Sequence, residues 1–257
     1  MTSLGKHASP VTKERLHDKI TRFIALGILR GDIRDGQAGM SSEIELCRHL
    51  KVSRTVLREA IKVLEAKRLV EVRSKTGIKV LPRSQWNLFD PDLLAWQHEA
   101  GVDDLFVRNL CEIRLIVETA AAELAAVRAT EQDLIDLENC VRQLETLVHD
   151  KAASNEVDIK FHSTIFGACH NELLEQMTAT ISMALRGTQS LTAHLPIDVP
   201  RHQAVAKAVV RRDPQGARDA MEELVMDAAA TLYRVLHPKD PDKWTELMPM
   251  HKGPPVL

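Results

Sequence analysis

Asp158 and His162 stand four residues apart in the run DIKFHSTIFGACHN. On a helix that spacing puts both side chains on one face, a turn apart. They would offer a hard carboxylate oxygen and an imidazole nitrogen, a pair suited to a divalent cation such as Zn²⁺. His202 begins another helical run forty residues on and can converge with them. The same pair serves equally as a surface hydrogen bond, and spacing alone leaves both readings open. A metal-dependent hydrolase built on Asp158, His162 and His202 would further need a base or nucleophile beside them, and no Glu or Ser stands out for that role. A second set of residues lies near the N-terminus, where Ser53 precedes Arg54, Thr55, Arg58 and Lys62, and Lys75-Thr76-Gly77 follow. Cations at that spacing are a solvated helix face or a phosphate-binding one. Arginine adds the ability to read a guanine edge through two parallel bonds.

The elements that must position these groups follow from pattern. Ser42 and Glu45 form a capping box opening a helix to about Leu50. Lys51-Val52 makes a turn, and Ser53 caps a second helix to about Ala66. On it Val56, Leu57, Ala60, Ile61 and Leu64 form one apolar stripe, with the cations pointing away. Leu69–Arg73 and Ile78–Leu81 alternate as strands do around the turn Ser74–Gly77. With a first helix over Val11–Leu29, this predicts a winged helix-turn-helix, which places one helix in the DNA major groove. Pro82–Gln85 reads as a linker, Asp90-Pro91 starts a connecting helix, and Trp86 and Trp96 suggest a packing clamp between two domains.

From Asp103 onward the pattern is helical throughout. Helices are expected over Asp104–Arg128, Thr130–Asp150, Asn155–Cys169, Asn171–Ala193, Arg201–Arg211 and Asp213–Leu236. The predicted fold is mainly α: a winged helix-turn-helix over 1–82, a linker and connecting helix over 83–102, an antiparallel helical bundle over 103–237, and an irregular tail over 238–257.

Composition agrees. Of 257 residues 44% are hydrophobic and only 4% aromatic, which suits helix-on-helix packing. The formal net charge of −2 hides an asymmetry. Residues 1–82 hold 17 Lys and Arg against 9 Asp and Glu, while the remainder hold 17 against 27. A basic front on an acidic body fits a protein that binds a polyanion through one end. No run of 18 apolar residues and no signal-like N-terminus occur, and the four scattered cysteines fit reduced thiols, so a cytoplasmic protein is expected.

The runs SEIEL and KVSRTVLREAIKVLEAKRLVEV, with the wing's TG, resemble the DNA-binding half of the GntR family of bacterial regulators. The runs EIRLIVETAAAELAA, DIKFHSTIFGACHN and RHQAVAKAVVRRDPQGARDAM are similar to the ligand-binding FCD domain of the FadR-type subgroup. The resemblance implies that Ser42, Ser53, Arg54, Thr55, Arg58, Lys62, Lys75, Thr76 and Gly77 face operator DNA. Family members usually carry Arg where this chain has Ile44, so one expected DNA contact is missing. In many members Asp158, His162 and His202 would hold a metal with a third histidine, and that metal receives a carboxylate effector. The third histidine's position falls on Leu224, and neighbouring Glu223 is about 100° around the helix. The resemblance therefore implies an effector pocket on this face, with metal optional. Arg114 is the expected carboxylate partner, its alternative being a salt bridge to Glu118, and Arg186 is a second cationic candidate. RSQWNLFDPDLLAW resembles a branch of repressors that respond to sugar acids such as galactonate. The expected protein is a homodimeric repressor controlled by a small carboxylate. The rivals are the hydrolase above and an architectural DNA-binding protein without a ligand.

Overall fold

The computed structural model describes residues 15–35, 43–73, 77–192, 195–240 and 244, which form two compact units, Met1–Ala100 and Gly101–Leu257. In the first unit α1 (Leu16–Leu29), α2 (Glu43–Leu50) and α3 (Arg54–Ala66) precede the antiparallel strands β1 (Val70–Arg73) and β2 (Gly77–Val80). Ser53 caps α3 by accepting from the Val56 amide at 3.3 Å. Leu57, Ala60, Ile61 and Leu64 of α3 are buried against Ile24 and Ile28 of α1 and Leu46 of α2. In the wing Val70 faces Val80 and Arg73 faces Gly77, whose φ of +76° suits a residue without a Cβ. The capping box expected at Ser42 and the wing tip at Lys75 and Thr76 lie outside the described residues.

The segment expected to be a linker is part of this unit. A 3-10 turn (Arg83–Gln85) leads into α4 (Pro91–Ala100), which packs on α1 and buries Leu93 in the winged core. Trp86 and Trp96, expected as a packing clamp, are partly buried against the same core. The Trp86 indole N–H donates to the Leu81 carbonyl at 2.7 Å. Buried Lys67 sits 5.4 Å from the Trp96 ring and 2.7 Å from both Asp90 and Asp92. The two carboxylates lift the Lys67 ammonium above its usual range against the opposing effect of burial. An ammonium taken from water needs such partners, and they fasten the start of α4 to the end of α3.

The second unit is a bundle of α5 (Asp104–Arg128), α6 (Glu131–Thr146), α7 (Lys151–Ala168), α8 (Glu172–Thr192), α9 (Val199–Val210) and α10 (Pro214–Leu236). Asp103, Thr130, Asp150, Asp198 and Asp213 each cap a helix by accepting from the backbone amide three residues on. Two starts differ from expectation. Asp150 opens α7 a turn earlier than Asn155, and Asp198 opens α9 ahead of Pro200, which occupies the first turn where its missing amide costs nothing. Helix α5 runs through the middle of the bundle against α7, α9 and α10. Its Ala121, Ala122, Ala125 and Ala126 are buried, which lets neighbouring backbones approach closely. Cys111, Cys140 and Cys169 are buried and Cys47 is half-buried, all as free thiols. Among the described residues no helix is long and apolar enough to cross a membrane.

Candidate functional site

Four helices of the bundle bring one polar cluster into an apolar interior. Helix α5 supplies Arg114 and Glu118, α7 supplies Asp158 and His162, α8 supplies Gln189, and α9 supplies His202. Arg114, Glu118, Asp158, His162 and His202 are each more than nine-tenths buried. Burial of so many ionisable groups demands mutual pairing. Arg114 Nε donates to Glu118 Oε1 at 2.6 Å, and His162 Nδ1 lies 2.6 Å from Glu118 Oε2, an ion-pair distance too oblique for a hydrogen bond. His202 Nε2 lies 2.7 Å from Asp158 Oδ1, and Gln189 Nε2 donates to Asp158 Oδ2 at 2.6 Å. The other ring nitrogen of His202 donates to the Asp198 carbonyl at 2.7 Å, which fixes the imidazole's orientation.

The electrostatics follow from that network. Burial would raise the Glu118 carboxyl, but Arg114 and His162 outweigh it and hold the group at about 2. Asp158 is likewise held at about 2, burial being overcome by the His202 bond and by the charges of His162, His202 and Arg114. Burial lowers His202 less than Asp158 raises it, so the net shift is upward. Asp158, His162 and His202 point one potential ligand atom each into a space where all three lie within 4.8 Å of one another. Two imidazoles and a carboxylate with water in the fourth place suit a divalent cation. At the family's fourth position Leu224 is buried and apolar, and it lines the cavity wall. Glu223 is exposed and offers no replacement.

Arg114, Asp158, His162, His202 and Gln189 border a cavity of about 120 Å³. Arg114 spends Nε and one terminal nitrogen on Glu118, and Nη1 has no hydrogen-bond partner among the described residues. The expected salt bridge to Glu118 and the expected place at a pocket are therefore both present, because the bridge is buried at the pocket's edge. Arg186 is elsewhere. It is half-exposed on α8, bonded to Glu156, and does not line the cavity. One helical turn separates it from Gln189, the α8 residue that does reach Asp158. Glu118, noted in sequence only as a possible partner of Arg114, proves to hold two cavity residues at once. Gln189 carried no sequence signal, since an isolated amide belongs to no pattern.

In the winged unit Ser53, Arg54, Thr55, Arg58 and Lys62 are all exposed on α3. Arg58, Lys62 and Gly77 border one groove of about 550 Å³ between α3 and the wing, whereas Ser53, Arg54 and Thr55 stand at the helix start outside it. Arg54 has no side-chain partner among the described residues. Arg58 lies 2.8 Å from Glu43 of α2, and Lys62 lies 2.8 Å from Glu59. Ile44 is also exposed.

Residues 16–80 match the model of the bacterial regulatory proteins, gntR family, and residues 109–227 match the FCD domain. The chain is 33% identical over 223 residues to the galactonate operon transcriptional repressor of Escherichia coli (strain K12), covering 85% of this chain and 97% of that one. It is 29% identical over 226 residues to the Uxu operon transcriptional regulator of the same organism, covering 83% and 85%. A solved structure of Lar, reported as controlling the Listeria monocytogenes agr system, shares the fold with a TM-score of 0.61 at 18% identity, over 86% of this chain and 97% of that one. The chain belongs to the GntR family of transcriptional regulators, with an FCD domain behind its winged helix-turn-helix, and is an effector-controlled DNA-binding regulator rather than an enzyme.

Proposed function

We propose that the chain is a cytoplasmic homodimeric repressor that loosens its hold on operator DNA when a sugar acid, of which galactonate is the leading example, enters the bundle cavity. The observation that carries this reading is the unspent Nη1 of buried Arg114 at a cavity that also presents Asp158, His162, His202 and Gln189. A guanidinium binds a carboxylate through parallel charge-assisted bonds. The remaining donors and acceptors suit the hydroxyl groups of a sugar acid better than an apolar acyl chain. The relative named as a galactonate operon repressor supports the same class.

Metal is optional in this reading. Asp158, His162 and His202 would hold a divalent ion, which would supply a Lewis-acidic contact to the carboxylate. Arg114 binds the acid in either case. On the DNA side Ser53, Arg54, Thr55 and Arg58 would meet the major groove, with Ser42, Lys62 and the wing residues Lys75, Thr76 and Gly77 near the backbone. Arg58 would exchange its Glu43 partner for DNA on docking. Two copies related by a two-fold axis would read a near-palindromic operator. The acid must bind the non-DNA-bound arrangement more tightly, since equal binding to both shifts nothing.

A thermal-shift screen of the purified protein against aldonic and uronic acids, with and without chelator, tests the proposal. A stabilising acid that also releases operator DNA is expected. If an acid shifts melting but leaves operator affinity unchanged in every case, the regulatory reading fails. An Arg114 variant with unaltered induction would favour a ligand-independent architectural protein instead.

A further inference from the structure

The cavity at Arg114 has a neighbour within the bundle. A second hollow of about 670 Å³ lies beside it, and Leu195, Pro196 and Thr231 border both spaces. Leu195 and Pro196 belong to the connector between α8 and α9, and Thr231 belongs to α10. On α10, Leu224, Asp227, Thr231 and Arg234 follow at steps of three, four and three, which keeps them on one side of the helix. The first three border the inner cavity, while Thr231 and Arg234 border the outer hollow. The stripe thus leads from the buried site to exposed Arg234, a rise of about 15 Å along the helix.

We propose that the outer hollow is the entrance by which a carboxylate reaches Arg114, with Arg234 as its first cationic contact and Leu195, Pro196 and Thr231 as the gate between the two spaces. Among the described residues Arg234 is the one charged group lining the hollow, and it has no carboxylate partner. Its Nη1 donates to the Thr231 hydroxyl at 3.4 Å, a long bond between neutral oxygen and cation. A charge-assisted bond to an arriving carboxylate is stronger. The acid would therefore draw the guanidinium off Thr231, and so off the gate, as it arrives. Another part of the cavity's rim that reaches solvent is less suited to this traffic. There Asp198 and Asp227 border the cavity with half-buried side chains, and Arg201 pairs with Asp198 and lies 3.6 Å from Asp227. Two carboxylates around one guanidinium leave a net negative charge, which repels an anion.

The inference rests on the sugar-acid reading given above and adds the route by which the acid arrives. The test uses the full-length protein with galactonate as the probe. Calorimetry gives Kd, relaxation dispersion of galactonate's own NMR signals gives the dissociation rate, and the two together give the association rate. In low salt Arg234→Ala should lower the association and dissociation rates together by about threefold, with Kd nearly unchanged, because a residue at the entrance meets the acid only in passage. Arg234→Glu should lower association by about tenfold, and the loss should shrink at high salt. Leu195→Ala opens the gate and should raise both rates. An Arg234→Glu protein that takes up galactonate as fast as the wild type in low salt would overturn the entrance. So would an Arg234→Ala protein whose Kd weakens through faster dissociation alone, which would place Arg234 in the final site. Unchanged rates in Leu195→Ala would overturn the gate. In each of these cases the wild type still binds and the sugar-acid reading stands, whereas a wild type that binds no galactonate would overturn both.

Discussion

The two units use arginine in opposite ways. Among the described residues Arg54 on α3 is exposed without a side-chain partner and Arg58 pairs with Glu43 at the surface, whereas Arg114 on α5 is buried against Glu118 with one nitrogen left over. A cation in water costs little to hold, is screened by salt, and gains from any polyanion within about a Debye length, roughly 8 Å at physiological ionic strength. A buried cation is expensive to hold and acts only on what enters its cavity, but it acts there at low dielectric and largely unscreened. The exposed cations therefore suit long-range attraction to phosphate, and the buried one suits short-range contact with whatever enters its cavity.

The largest effect should come from breaking the buried arrangement. Arg114→Ala leaves Glu118 charged and unpaired except for His162, which should cost about 3–5 kcal/mol of stability. It should also abolish the melting shift given by the effective acid. Arg114→Lys separates the two consequences, since it keeps a charge near Glu118 but loses the planar fork. The expected Lys variant folds, binds operator DNA and responds to acid only at concentrations at least tenfold higher. An undiminished response would remove Arg114 from the ligand site.

Next in size is a gain at the same cavity. Leu224 occupies the position where the family's third histidine stands, and its side chain lines the cavity beside Asp158, His162 and His202. Leu224→His should complete a four-ligand set, so that the purified variant retains stoichiometric zinc through gel filtration with an affinity at least tenfold above the wild type. Equal zinc retention in the two proteins would mean that the three residues present already suffice, and the cavity would then be a metal site first.

In the winged unit, removing an exposed cation should cost less and depend on salt. Arg54→Ala should lose about 1–3 kcal/mol of operator affinity if it reads a base edge, with specificity relaxed at one position. Lys62→Ala should weaken binding evenly across sequences and lower the salt slope by about one unit. Acid binding in the cavity should change little over the same salt range. A steep salt dependence there would erase the contrast between the units.

Much of this arrangement was legible in the sequence because it is local. Ser53, Asp103, Thr130 and Asp213 announce helix starts by residue type, and the stripe on α3 fixes its buried face. The i, i+4 pairs Arg114–Glu118 and Asp158–His162 also follow from helical geometry alone. Where several helices meet, that legibility ended. Helix α7 is buried on nearly every side, with Val157, Asp158, Ile159, Phe161 and His162 all inside, so no polar face marked where it begins. Arg186 and Gln189 are both polar residues on α8, and only packing against α7 decides that the amide, not the guanidinium, reaches Asp158. Sequence shows neighbours along the chain, so it could not tell that Trp86 and Trp96 pack on the core that precedes them.

The smallest effect concerns two tight turns, one in each unit. Lys51 sits between α2 and α3 with φ +55°, and His170 follows α7 with φ +45°. A left-handed conformation costs a residue with a Cβ about 1–2 kcal/mol, and glycine avoids it. Glycine also enlarges the entropy of the unfolded chain, which returns about 0.4–1 kcal/mol. The net sign then depends on what the side chain does. Lys51 makes no side-chain hydrogen bond or ion pair among the described residues, so Lys51→Gly should be neutral to stabilising by at most about 1 kcal/mol, a rise of a few degrees in melting temperature. The imidazole of His170 lies 2.9 Å from Asp133, whose carboxylate also accepts from the Thr130 amide at the start of α6. Burial works against it, but the Thr130 and His170 bonds hold the Asp133 carboxyl below its usual range. His170→Gly removes one of those partners and should be neutral to destabilising despite the same relief at φ. If both substitutions stabilised equally, the His170–Asp133 contact would be a surface pairing of no energetic weight, and the turn in the bundle would differ from the turn in the winged unit only in its residue.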